Sequence, residues 1–294
     1  MKRLLIVDGH AYAYRAFHAI RNLRGPEGRP TNAVYGFIKM LDKMRGALAP
    51  EHLMVVWDGG MSAERMAAHP EYKAQRPEMP GDLRSQLDEM VEYLAAAGIA
   101  SHRGEQIEAD DYIACLARRA GAAGWNVVIA SSDKDFMQLV SPQIGLWNPN
   151  DKVPGAIWTA AEVVAKTGVA PGQVADWLAL MGDAVDNIPG VPGVGPKTAA
   201  ELLKQFGSIA GLFERLTEVK SEKMRTALQG SVEVVRRNRR LVELHEVACD
   251  FVPEQLAIRP RNRERLGELF RRWGFKGMLE DLEGTVSGQQ AELI

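Results

Sequence analysis

Four short apolar runs punctuate the first half of the chain: Leu4–Val7, Leu53–Trp57, Val127–Ala130 and Ile144–Trp147. Unbroken runs of this length read as strands buried on both faces. Between them, residues 32–48, 82–97 and 110–123 carry the periodicity of helices. Strand–helix alternation predicts an α/β fold, with a mainly parallel central sheet flanked by helices. Ligands of such sheets lie beyond the carboxyl ends of the strands, so the residues that follow each run matter most. LLIV leads into Asp8, MVVW into Asp58, and VVIASS into Asp133. One Asp after a strand is ordinary, because Asp suits turns and helix N-caps. Three at one sheet edge call for another cause.

They belong to a larger set of nine carboxylates: Asp8, Asp58, Glu108, Asp110, Asp111, Asp133, Asp135, Asp183 and Asp186. Glu108 and Asp111 are three apart and share a helix face, with Asp110 pointing elsewhere. That cluster fits the first turn of a helix, whose positive end favours anions. Packed together without cations, such groups repel and several are forced to protonate. Oxygen donors without His or Cys suit Mg²⁺ or Mn²⁺ rather than zinc. So many carboxylates suffice for two ions, the arrangement that cleaves phosphodiesters in line. The plain alternative is a set of solvated turn acids and helix caps.

The length of 294 residues allows one large domain or two closely joined ones. No apolar run approaches the roughly 20 residues of a bilayer span. The start, MKRLLIVDGH, meets Asp8 after four apolar residues and reads as a strand rather than a signal peptide. Cys115 and Cys249 are the only cysteines, which excludes a disulfide framework and a zinc site; Cys115 falls in an apolar helical pattern and reads as a core thiol. A cytoplasmic protein without membrane contact is expected. The net charge of −2 is unusual for a DNA-binding protein, unless acids gather at a metal site and bases line the DNA path. The basic run Arg236, Arg237, Arg239 and Arg240 reads as a solvated helix face.

Residues 59–80 read as a long, irregular or partly helical, mobile insertion. From Thr159 the strand signals stop, and Thr159 with Glu162 forms a capping box. Residues 182–199, GDAVDNIPGVPGVGPKTA, hold a hairpin at Gly193-Val194-Gly195, with Pro196 placed to start a helix. Backbone amides at such a hairpin bind phosphate without reading bases, and Lys197 adds charge. The expected organisation is an α/β domain over 1–158 with a partly helical insertion around 59–80, then a helical DNA-binding region over 159–284. The latter contains a helix–hairpin–helix motif at 182–206, and a flexible tail covers 285–294.

Taken in order, LIVDGHAYAYRAFHA (5–19), AVYGF (33–37), VVWD (55–58), YKAQRP (72–77), EADD (108–111), SSDKDFMQL (131–139) and the 182–199 segment resemble the 5′-nuclease (flap endonuclease) family. Within it they are most similar to the N-terminal 5′→3′ exonuclease domain of bacterial DNA polymerase I. The order and spacing hold to about Leu282, and no carboxylate of the set is missing. Trp57 stands where Phe is expected, and residues 59–70 match only loosely. The chain is expected to be either a stand-alone relative or a domain excised from a polymerase.

The resemblance implies a structure-specific 5′→3′ exonuclease and 5′-flap endonuclease of DNA replication and repair, leaving 5′-phosphate and 3′-hydroxyl ends. It assigns Asp8, Asp58, Glu108 and Asp110 to one Mg²⁺. It assigns Asp133, Asp135, Asp183 and Asp186 to the second, with Asp110 bridging and Asp111 nearby; Mn²⁺ can substitute, and K⁺ is expected at the hairpin. Lys73 and Arg76 contact the scissile phosphate, Tyr72 stacks on an unpaired base, and Arg15 helps bind phosphate. Partners are DNA with 5′ ends, flaps or branches, met by a monomer. The rival readings are a catalytically weak module that binds branched DNA, an RNA-cutting enzyme of the PIN type, and a small-molecule phosphohydrolase. The intact acidic set opposes the first, and the hairpin opposes the other two.

Overall fold

The computed structural model describes residues 2–149 and 155–291, with only the backbone described over 285–291. The order begins β1 (Arg3–Asp8), α1 (Gly9–Ala19), α2 (Asn32–Leu48), β2 (His52–Trp57), α3 (Ala63–Ala68), α4 (Gly81–Ala96) and β3 (Ala100–Arg103). It continues with α5 (Ala109–Ala122), β4 (Asn126–Ala130), β5 (Ile144–Trp147), β6 (Ile157–Trp158), α6 (Ala160–Thr167) and α7 (Val174–Met181). A two-residue pair follows, β7 (Gly182–Asp183) and β8 (Ile188–Pro189), then α8 (Pro196–Phe206), α9 (Ile209–Glu214), α10 (Glu222–Gln229) and α11 (Val232–Val242). The last helices are α12 (Pro253–Leu256), α13 (Arg263–Trp273) and α14 (Lys276–Ala291). All four expected strands are present, as are the helices expected at 32–48, 82–97 and 110–123. α14 runs through residues where a flexible tail is expected, and 292–294 lie outside the described residues.

The chain packs as two compact units. One contains 2–57, 78–102 and the described residues from 252 onward. Its strands neighbour one another in the order β3-β2-β1. β1 and β2 are parallel, in register from Leu4 beside His52 to Asp8 beside Val56. Both are buried nearly throughout, which is why their sequences are unbroken apolar runs rather than alternating ones. α2 has no side-chain cap of its own. Instead the Ala33 and Val34 amides donate to Oε1 of the buried Gln86 on α4, at 2.8 and 3.1 Å. Trp57, where the family resemblance expects Phe, stacks on Phe37 and donates from Nε1 to Ser101 at 2.9 Å. Its ring leaves room only for glycine at position 9, because a Cβ there would lie 2.6 Å from the indole. Asp8 ends β1 and caps α1, accepting from the Ala11 amide at 3.0 Å. Arg15 is exposed on α1.

The other unit contains 58–77 and 103–251. Here the strand order is β4-β5-β6, with β4 parallel to β5 and β6 antiparallel to it. α5, whose apolar face includes the fully buried Cys115, packs on β4. The capping box at Thr159 and Glu162 is formed. β7 and β8 are an antiparallel pair beyond the point where strand signals stop; two residues each are too few to leave a pattern. They are held by Asn238 of α11, fully buried, whose amide donates to Ala179 O and Pro189 O at 3.1 and 2.7 Å. The arginine run on α11 is only in part a solvated face. Arg239 pairs with Asp176 at 2.8 Å and Glu243 at 2.7 Å, while Arg236 pairs with Glu233 on its own helix.

Candidate metal and phosphate site

The second unit gathers most of the expected site residues: Asp58, Tyr72, Lys73, Arg76, Glu108, Asp110, Asp111, Asp133, Asp135, Asp183 and Asp186, together with the hairpin. Asp8 and Arg15 belong to the first unit, described above.

Glu108 is the N-cap of α5, and Asp110 and Asp111 lie in its first turn. Asp58 helps fix the start of this helix, accepting from the Ala109 amide at 3.3 Å. The two neighbouring acids then part company. Asp111 is buried and accepts two bonds from the Arg65 guanidinium, at 2.6 and 2.7 Å, and one from the His245 amide at 2.8 Å. It anchors Arg65, and both of its oxygens are engaged by these donors. Asp110, one residue earlier, is half-buried and shares in the charge around Lys73 and Asp135.

Arg65 is the residue that sequence reading missed. It is buried in α3 and also donates to Leu241 O and Glu243 O, at 2.9 and 2.8 Å. Its Nη1 lies 3.3 Å from Glu108. A guanidinium presents five donors in a fixed fork, which this site uses almost fully. In sequence it is one arginine in an unremarkable AERMAA stretch.

Arg65 lies in the segment expected as a long insertion, which carries further contacts. The 59–77 segment is tied down along its length. Ser62 donates its amide to Glu108 at 2.9 Å and caps α3. Lys73 Nζ donates to Glu108 at 2.6 Å, and the Tyr72 hydroxyl to the same oxygen at 3.2 Å. The Lys73 amide donates to Asp186 O at 3.0 Å, and Arg76 pairs with the Asp186 carboxylate at 2.5 Å. Lys73 adopts φ +57°, a left-handed conformation that costs a non-glycine residue of order 1 kcal/mol. Tyr72 is buried under the Lys73 ammonium, which lies 4.8 Å from its ring centroid. Stacking on a base is therefore not available to Tyr72 in this arrangement.

Electrostatics follow the contacts. Burial would raise the Glu108 carboxyl, but Lys73 and Arg65 outweigh it and hold the group low. Burial opposes the Lys73 charge, yet Tyr72, Asp110, Glu108 and Asp186 keep the ammonium protonated far above the ordinary lysine range. In the second acidic group Asp183 pairs with Lys134 and Asp186 with Arg76, and burial dominates at the other two. Asp133 caps the turn after β4 and accepts from the Asp135 amide at 2.9 Å. Burial lifts Asp133, and Asp186 and Asp183 lift it further. Asp135 is lifted well above the usual carboxylate range by burial and then by Asp133, Asp110, Asp186 and Asp183. Its Oδ1 is covered and has no hydrogen-bond partner.

A carboxyl raised in the folded state adds stability below the unfolded Asp pKa of about 4, and loses it as pH climbs through the raised value. Asp135→Asn should therefore raise the melting temperature in EDTA at pH 8, by about 3 °C or more. Near pH 4 the gain should vanish. Melting curves across that range check it; an equal gain at both ends would show that Asp135 is not strained by its neighbours.

These features fit a divalent cation: oxygen-only donors, a covered carboxylate oxygen without a partner, and acids lifted by burial and by one another. Among the described residues no three acidic, His or Cys side chains are already gathered tightly enough to hold one. Basic side chains stand among the acids instead: Lys73 on Glu108, Arg76 on Asp186, and Lys134 on Asp183 at 2.9 Å.

The hairpin expected to meet phosphate is formed. Val194 donates its amide to Val191 O at 3.0 Å, and Gly195 then caps α8 with Pro196 in its first turn. Gly193 has φ +81°, which only glycine adopts without strain. Gly195 does not, and a Cβ on it would meet open space. Lys197 is exposed on the first turn of α8.

An α/β layer with acids at its strand ends, followed by helices and a glycine hairpin, defines a resolvase-like nuclease domain joined to a helical SAM fold. Family models described as "5'-3' exonuclease, N-terminal resolvase-like domain" and "5'-3' exonuclease, C-terminal SAM fold" match residues 3–168 and 169–264. The chain belongs to the 5′-3′ exonuclease family. It is 36% identical to the 5′-3′ exonuclease of Aquifex aeolicus (strain VF5), over 96% of both chains. It is also 36% identical to DNA polymerase I of Bacillus caldotenax, over 99% of this chain and 34% of that one; it spans about a third of the polymerase relatives it matches. A solved structure of T5 5′-exonuclease with bound divalent metal ions (zinc) superposes with a TM-score of 0.69 at 25% identity, covering 83% of this chain and 90% of that one. No helix among the described residues is long and apolar enough to cross a membrane.

Proposed function

We propose that the chain is a structure-specific 5′→3′ exonuclease and 5′-flap endonuclease. It hydrolyses DNA phosphodiesters with two divalent cations, Mg²⁺ by preference, leaving 5′-phosphate and 3′-hydroxyl ends. The observation that carries this is the pairing of Lys73 and Arg76 with Glu108 and Asp186: two cations suited to phosphate, parked on carboxylates suited to metal. The family membership and the metal-bound T5 relative support it.

Bound cations would lower the pKa of a water and neutralise charge on the attacked phosphate. Glu108, Asp110 and Asp58 would hold one; Asp133, Asp135, Asp183 and Asp186 would hold the other. Lys73 and Arg76, released from their carboxylates, would face the phosphate where negative charge develops. The hairpin amides at Gly193 and Gly195, with Lys197, would grip duplex phosphates without reading bases. Such contacts fit a substrate recognised by shape: a 5′ end, flap or branch.

A 5′-labelled flap incubated with Mg²⁺, with EDTA as control, tests the reading. Asp110→Asn keeps size and removes one charge, and should abolish most cleavage while leaving DNA affinity in Ca²⁺ nearly intact. Near-normal turnover in that variant would sink the cation assignment. Binding without cleavage in the wild-type protein would favour a silent branched-DNA module instead.

A further inference from the structure

Lys134 lies between Asp133 and Asp135, in the turn that follows β4. Neither the strand-end pattern nor the family resemblance gives it a role. Its ammonium is 2.9 Å from Asp183 Oδ1, joining the β4 turn to the β7 end far along the chain. The Asp183 side chain is 9% exposed and that of Lys134 31%. The carboxylate is therefore largely enclosed, while the lysine side chain is partly open to solvent on a flexible four-carbon stem. Asp183 also accepts from the Val185 amide at 3.0 Å, which holds its orientation whether or not the lysine stays. Beside it, Arg76 pairs with Asp186, while Asp135 Oδ1 is covered and without a hydrogen-bond partner.

We propose that Lys134 is a tethered counter-ion, holding Asp183 until a divalent cation arrives and leaving it when that cation is bound by Asp133, Asp135 and Asp183. The inference rests on the cation-binding reading above. It makes Lys134 a competitor of one ion: its positive charge keeps the acids together in the metal-free protein and opposes the divalent cation at the same place. The same charge thus sets the concentration at which that ion loads.

The test is a titration of the full chain with Mn²⁺, without DNA, following free ion by electron paramagnetic resonance. Removing one positive charge beside a divalent site, partly screened by water, should tighten the weaker-bound ion about fivefold or more in Lys134→Gln. Lys134→Met should do the same. Lys134→Arg, which keeps the charge, should stay within about twofold of wild type. In EDTA the Gln and Met variants should also melt lower than wild type, with a larger rise on adding Ca²⁺. Unchanged Mn²⁺ affinity in both neutral variants would overturn the inference alone, as would equal tightening in Lys134→Arg, because the effect would then not be one of charge. Wild-type protein that takes up no Mn²⁺ would overturn the cation-binding reading, and this inference with it.

Discussion

Lys73→Ala should slow single-turnover cleavage of a 5′ flap by roughly 10²–10³-fold, the usual effect of losing a donor aimed at developing charge. Its effect on DNA affinity, measured in Ca²⁺, should be far smaller. One phosphate contact among many weakens binding modestly and makes the salt slope shallower by about one. The structure sharpens this expectation. Lys73 rests on Glu108 at 2.6 Å, so the variant also leaves a buried carboxylate with Arg65 as its remaining cation. Arg76→Ala should show the same split less severely, because Arg76 is half-exposed and its partner is Asp186. The exposed Lys220→Ala serves as control and should change little. Normal cleavage by Lys73→Ala on saturated DNA would reduce the segment over Glu108 to a binding surface.

Arg65→Met should produce the largest loss of stability. It leaves Asp111 buried without its cation, takes one cation from Glu108, and strips the donors from Leu241 O and Glu243 O. Breaking a buried ion pair from one side costs about 3–5 kcal/mol, or roughly 5–8 °C in melting temperature for a chain of this size. Arg65→Met combined with Asp111→Leu should recover much of that loss, since an apolar pair replaces the buried charges. A melting temperature unchanged in the single variant would mean that the 59–77 segment is not anchored through Arg65. Activity should fall with stability, because the same segment carries Lys73 and Arg76.

The sequence made the scaffold readable where one physical signal dominates. β1, β2, β4 and β5 are unbroken apolar runs because both faces are covered. β3, with the sequence ASHR, alternates in burial and has no apolar run to find. β6, β7 and β8 have two residues each. Asp8, Asp58, Asp133 and the Glu108–Asp111 cluster are legible because they follow strands or begin helices. What each acid does is not. Asp110 and Asp111 are adjacent and chemically identical, and only helical phase sends one to Arg65 and leaves the other among the cations of the site. Arg65 and Lys134 find partners 46 and 49 positions away respectively, which no local pattern encodes. Burial of Tyr72 is likewise a tertiary fact: its aromatic ring reads equally well as a stacking platform or as core.

The attachment of the 59–77 segment to Asp186 and Glu108 implies reciprocity. If Lys73 and Arg76 exchange carboxylates for DNA phosphate, the acids they leave gain affinity for divalent cations; by linkage, bound cations must favour DNA by the same factor. Substrate and metal then load as heterotropic partners, each recruiting the other through two side chains that cannot serve both at once.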